Sequence, residues 1–368
     1  MSSSFTLYTR LFECIRVFHP NIHVKRISNW VWVVVGLIQS QSVHLSEIAQ
    51  HIPSDAKAAG RIAQVRRWLA NPFVQATQFY EPLIAQVLQA WQGRAVFIIL
   101  DGTEVNHGTL QFFRVSLSHC FRALPLAWLV RAGRGLIQQE ACAELLGHTA
   151  RLLQEIRSVT FLADRGFRDT DWAEKCLALG WNYLIRVANS TYVTLATGEQ
   201  LCVRQLACPG RNRYFYNVGL TKEKKFPCNL MLTWLATEKG ELELGVLITN
   251  LRPCHQTLKQ YVKRMHIEQS FRDDKSGGFD LQATKLQDVD RLDHLLLAVA
   301  VAVLWIYEIG EHVIRAHQRS EIDPAYKRQL SIFQIGWRKL RRAISCLNIP
   351  PFTLQIQPLR LEPVWRKC

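Results

Sequence analysis

The chain has 368 residues, of which 48% are apolar and 20% charged, a balance that excludes wholesale disorder and fits two or three domains or one large core with appendages. Forty-five Lys and Arg against thirty Asp and Glu leave a net charge of +15, which points to a polyanionic partner, nucleic acid ahead of an anionic membrane. The longest apolar run, LLLAVAVAVLWIY over 295–307, is flanked by Asp293, His294 and Glu308 and is too short to span a bilayer, so a buried core helix is expected and no membrane partner. The N-terminus lacks the basic and apolar regions of a secretory signal. Ten cysteines are scattered singly with no C-x-x-C, as in a reduced, cytoplasmic protein.

Residues 1–92 read as helical, in pieces 7–18, 27–39, 45–51, 56–70 and 76–91. Within them LSEIAQHIPSDAKAAGRIAQVRRWLANP is a short helix, a Pro-containing turn and a second helix, with Ser54 or Asp55 placed to cap the second and Pro72 after its end. Arg61, Arg66 and Arg67 make that second helix basic, which fits a DNA-binding unit resembling a helix-turn-helix and equally a solvated face.

The texture changes at Arg94. AVFIIL over 95–100 is a β-branched apolar run, as expected of a strand covered on both faces. Strand-like runs follow near 110–118 and 123–131, then a helix over 138–156, a strand at 160–163, a helix at 170–179 and a strand at 181–187. Three strands followed by alternating helix and strand describe an α/β mixed sheet with helices packed on it. Residues 190–250, rich in Thr, Tyr, Val and Leu with turn signals at Thr197-Gly198, Pro209-Gly210 and Lys239-Gly240, read as a β-rich insertion of short antiparallel strands. Helices are expected over 256–275, 291–314 and 326–345, the last carrying six cations and no acid from 326 to 342, a DNA-facing or merely solvated surface.

Asp101 follows AVFIIL directly and Asp164 follows TFLA, each at a strand exit where sheet proteins gather functional groups. Each has a plain alternative, since Asp-Gly after a strand also makes a turn and ADRGF also suits a turn with a charged pair. The 256–275 helix adds a third carboxylate. At about 100° per residue, Tyr261, Arg264, Glu268 and Lys275 fall within roughly a 60° arc. A carboxylate flanked by cations and a hydroxyl suits a phosphodiester, and a polar solvated face is the other reading.

Tyr261, Arg264, Glu268 and Lys275 reproduce Y-x2-R-x3-E-x6-K, and with them the chain resembles bacterial transposases of the insertion sequence 4 family. LDGTEV, LADRGF, the β-rich stretch before Glu268, the apolar helix after it and the RRWLANP ending of the N-terminal helices extend the resemblance over nearly the whole length. It implies a helical DNA-binding region over 1–92 and a ribonuclease H-like core over 93–189 and 253–346. The β-rich insertion at 190–252 interrupts that core, and a tail covers 347–368. It further implies a catalytic and metal-binding triad of Asp101, Asp164 and Glu268 with Mg²⁺, which Mn²⁺ can replace, acting by two-metal phosphodiester transfer. The implied activity is cleavage of transposon ends and joining of the 3′-OH to target DNA through hairpin ends, by a homodimer on paired inverted-repeat ends of double-stranded DNA. Tyr261, Arg264 and Lys275 would hold phosphates, Arg165 would add a weaker contact, and Trp234 would stack an extruded base unless it is a core tryptophan. Some relatives dimerise through a longer C-terminal region, so the resemblance leaves the dimer contacts of this 368-residue chain open. The competing readings are an inactive DNA-binding relative and another ribonuclease H-like nuclease.

Overall fold

A computed structural model describes residues 2–135, 139–167, 170–236, 240–359 and 361. The first part is helical as expected: α1 (Ser3–Phe18), α2 (Val24–Ser40), α3 (Leu45–Gln50), α4 (Ala58–Leu69) and α5 (Ala76–Leu88). α4 starts later than the pattern suggested, after Lys57, so neither Ser54 nor Asp55 caps it. The Ser54 hydroxyl instead accepts from the Ala56 amide at 3.2 Å and closes a local turn, the use that competes with capping for such residues.

The sheet begins with an antiparallel meander of β1 (Ala95–Val105), β2 (Leu110–His119) and β3 (Arg122–Ala132). After α6 (Gln139–Leu152), β4 (Ser158–Ala163) pairs parallel to β1, and after α7 (Thr170–Ala178), β5 (Asn182–Val187) pairs parallel to β4. Ile98, Ile99 and Leu100 are all fully buried, so β1 is covered on both faces, as its unbroken apolar run requires. The 190–250 stretch forms β6 (Tyr192–Thr194), β7 (Gln200–Cys202), β8 (Arg213–Leu220), β9 (Phe226–Ala236) and β10 (Leu242–Thr249). These strands prolong the central sheet, because β10 pairs antiparallel with β5, Thr249 opposite Leu184. The full order is β3-β2-β1-β4-β5-β10-β9-β8-β6-β7.

Beyond the sheet the chain makes one helical rod of changing pitch: α8 (His255–Tyr261), a 3₁₀ turn at Val262–Arg264, α9 (Met265–Arg272) and a π turn at Asp273–Gly277. Ile267, Ser270 and Phe271 bury one face of α9, and the Ser270 hydroxyl accepts from the Ala123 amide of β3 at 2.7 Å. This fixes the rod across the β1–β3 side of the sheet.

The apolar run becomes the middle of α10 (Val289–Arg315), which by length and composition alone would cross a membrane. Its most apolar window is 94% buried inside the fold, so it is a core helix here. The N-terminal helices pack on it: the two ring nitrogens of His294 lie 2.7 and 2.6 Å from the Leu69 and Val74 carbonyl oxygens. α11 (Ile332–Ser345) starts six residues later than the basic run suggested. Ser331 and Gln334 form a reciprocal capping box there, which sets its start. Lys327 and Arg328 therefore precede α11, with Arg328 buried over the Phe121 ring.

Candidate active site

Parallel pairing of β1 with β4 sets Leu100 level with Ala163. Asp101 and Asp164 are the next residue on each strand, so two carboxylates emerge side by side from adjacent strands. Asp101 is not in a turn. β1 runs on to Val105, and Asp101 lies opposite Arg114 of β2, which sends both side chains to the same face of the sheet. Each aspartate is oriented by a backbone amide, Asp101 by Gly102 at 2.8 Å and Asp164 by Gly166 at 2.7 Å. A Cβ on Gly166 would stand 3.0 Å from the Asp164 carboxylate, so glycine leaves room for that close loop.

The rod supplies the rest. Arg264 and Glu268, four residues apart, form an ion pair, and the Arg264 guanidinium also lies 3.7 Å from the Asp101 carboxylate. Tyr261 is buried, and its hydroxyl donates to the Ala163 carbonyl oxygen at 3.2 Å, the residue before Asp164. Tyr261 thus braces the end of β4 rather than presenting its hydroxyl to solvent. Asp101 is pushed up to about 7, first by burial and then by the negative charge of Asp164, with Arg264 and the Gly102 amide opposing and Glu268 adding to the rise. Asp101 is thus close enough to both other acids to feel their charge.

Among the described residues no hydrogen bond or ion pair joins Lys275 to this group. The 100° count assumes an α-helix to its end, but the rod switches to a π turn at Asp273–Gly277, whose extra residue per turn rotates everything after it. Lys275 is half-buried near Glu104 and Asp274, and burial pulls its ammonium down. Two neighbouring acids that the spacing argument passed over carry more weight there. Asp273 pairs with Arg122 at 2.5 Å and Asp274 with Arg114 at 2.6 Å, all four side chains buried. RDDK beside an apolar helix face, and an arginine inside FFRVS, were the available signals.

The other residues singled out by sequence lie elsewhere. Arg165 follows Asp164 but is exposed and paired with Glu243 at 2.9 Å, which also holds Arg186 at 2.9 Å. The Trp234 indole donates to the Cys208 carbonyl oxygen at 2.8 Å from half-buried β9. Three strand spacings separate β9 from β4, about 14 Å. Arg61 is half-buried and donates to the Ala56 carbonyl oxygen, whereas Arg66 and Arg67 are exposed on α4.

Hard carboxylate oxygens suit a divalent ion, which would offset the charges of Asp164 and Glu268 that add to burial in raising Asp101. Among the described residues, however, no three His, Cys, Asp or Glu side chains close on one metal position, and Arg264 fills the gap between Asp101 and Glu268.

Residues 140–305 match the family model described as the transposase DDE domain. Over those residues the chain is similar to the DDE domain of transposases. The match spans Asp164 and Glu268 and begins after Asp101. The mixed sheet with its flanking helices is accordingly the ribonuclease H-like core of such a domain. The match supports a DDE transposase, with DNA as the partner that the family implies and a divalent metal as the cofactor such enzymes generally use. No curated protein matches the chain.

Proposed function

We propose that the protein is the transposase of an insertion sequence 4-type element, cutting the element's ends and joining the freed 3′-OH to target DNA. What supports this reading is that Asp101 and Asp164 follow Leu100 and Ala163 of adjacent parallel strands in register, with Glu268 tied to Asp101 through Arg264. In this reading those three carboxylates are the catalytic residues and hold divalent metal, Mg²⁺ by preference and Mn²⁺ in its place. A metal bound there would activate the attacking water or 3′-OH and stabilise the leaving oxygen.

The chain's own residues prepare that chemistry. Arg264 neutralises Glu268 and Asp101 while no substrate is bound, and a scissile phosphate offers it a competing bidentate partner. When Arg264 turns to the phosphate, Glu268 is released toward the aspartates. Tyr261 keeps Asp164 at the level of Asp101 by holding the Ala163 carbonyl. Lys275, at the far end of the rod, and Arg165 reach phosphates further along the strand. Hairpin ends, a homodimer on paired inverted repeats and base stacking on Trp234 complete the proposal by resemblance alone.

The test is incubation of the purified protein with the element's end DNA and Mg²⁺, resolving nicked, hairpin and joined products. Mg²⁺-dependent nicking followed by joining is expected. Salt-sensitive binding with no cleavage under any divalent metal would contradict the enzyme reading and favour a DNA-binding relative.

A further inference from the structure

The rod that presents Glu268 on one face lines a cavity of about 880 Å³ with Lys259, Lys263 and His266 on the other. On a helix these three lie roughly opposite Tyr261, Arg264 and Glu268. Arg94 and Arg157, which precede β1 and β4, complete the rim, and among the described residues no Asp or Glu lines it. Ala95 at the cavity lies six residues, about 20 Å, before Asp101 along β1, while Lys263 and His266 reach the cavity from the side of the rod opposite Arg264 and Glu268.

Elsewhere on the surface some cations are tied to acids: Arg165 and Arg186 to Glu243, Lys224 to Asp171 and Glu174, Lys339 to Glu321. Among the described residues, Arg94, Arg157, Lys259 and Lys263 have no acidic partner within ion-pair distance, and Lys263 rests over the Phe97 ring with its ammonium 4.7 Å from the centroid. Lys259 and Lys263, one turn apart, repeat along the helix axis by about 6 Å, near the separation of successive phosphates on a nucleic-acid strand.

We propose that this groove grips the sugar–phosphate backbone of double-stranded DNA, as a contact separate from the carboxylate site. A concave rim of four uncompensated cations, with the nearby aromatic faces already engaged by Lys263 and Arg328, matches phosphate and leaves base identity unread. That the DNA held here is continuous with the DNA reaching Asp101 rests on the transposase reading; the backbone contact does not.

The experiment is fluorescence anisotropy of the full chain with a labelled duplex of about 30 base pairs and arbitrary sequence, across a salt series. Arg157→Glu with Lys259→Glu should weaken binding by about tenfold or more and lower the log–log salt slope by about two, one for each phosphate that is no longer neutralised. Arg157→Gln with Lys259→Gln should fall between the two and guards against a folding defect, which thermal melting of both variants would reveal. Unchanged affinity and slope in well-folded variants would overturn the proposal. So would binding of wild-type protein to phosphatidylglycerol vesicles that the variants lose while keeping their DNA affinity. End cleavage is scored separately, so a wild-type chain that binds through this groove without cutting would sink the transposase reading and leave the groove standing.

Discussion

The middle and the C-terminal end of the helical rod hold charge in opposite ways. At its C-terminal end Asp273 and Asp274 are buried against Arg122 and Arg114 of the sheet, with no solvent or substrate able to compete. In its middle Glu268 is a third exposed, and its partner Arg264 also lies 3.7 Å from the Asp101 carboxylate. A buried pair costs more to break than it contributes to stability, so it works as a latch that fixes position. A half-exposed pair is weak and exchangeable. The rod is therefore pinned where it must not move and left free where a ligand must enter.

This contrast collapses if the middle pair is structural and the end pairs are not. Asp101→Asn, Asp164→Asn and Glu268→Gln should each lower Mg²⁺-dependent end cleavage by at least about 10²–10³-fold, the scale on which removing a single electrostatic partner of a transition state is felt. DNA binding by anisotropy and the melting temperature should stay close to wild type. Asp274→Asn and Asp273→Asn should do the reverse. Each leaves a buried arginine unpaired and should cost about 3–5 kcal/mol in urea unfolding, with any loss of cleavage tracking the loss of folded protein.

Arg264→Gln separates the two kinds of pair further. Its effect on unfolding should stay within about 1 kcal/mol, because the pair it breaks is partly solvated. Cleavage at saturating DNA should nonetheless fall, since the phosphate loses its guanidinium. Equal losses of stability from Arg264→Gln and Asp274→Asn would remove the distinction between latch and exchangeable pair.

The smallest expected effects are pH slopes. Burial raises Asp273 from 3.8 to about 6, even against the pull of Arg122, so between those values the folded state binds more protons than the unfolded chain. Acidification from about 6 to about 4 therefore favours folding through this group, and Asp273→Asn should lose stability faster over that window than wild type. His266 acts with the opposite sign, being lowered from 6.5 to about 4, so the unfolded chain takes the proton first. Stability is lost through it as pH falls from about 6.5 to about 4, and His266→Gln should flatten that decline in unfolding measured by circular dichroism.

Much of this was legible in the residue pattern. AVFIIL and TFLA marked the two adjacent parallel strands, and the spacing of Tyr261, Arg264 and Glu268 marked one face of the rod, because both signals are local and periodic. What escaped was non-local or aperiodic. Arg114 meets Asp274 across 160 residues of chain, a pairing that only the folded register reveals. The π turn at Asp273–Gly277 broke the count that placed Lys275 with the others. β1 ran past Asp101 because its second neighbour, β2, continues pairing where β4 stops, so Asp-Gly made a strand and not a turn. Tyr261 showed its place in the motif but not its partner, since a hydroxyl bonded to a backbone carbonyl leaves no trace in composition.

The decisive measurement is a Mn²⁺ titration of the full chain bound to duplex DNA, followed by electron paramagnetic resonance. Wild-type protein should bind the ion, Asp101→Asn and Asp164→Asn should abolish that binding, and Glu268→Gln should weaken it while Asp274→Asn, where folded, leaves it intact. Undiminished Mn²⁺ binding in a folded Asp101→Asn, Asp164→Asn double variant would contradict the assignment of the site.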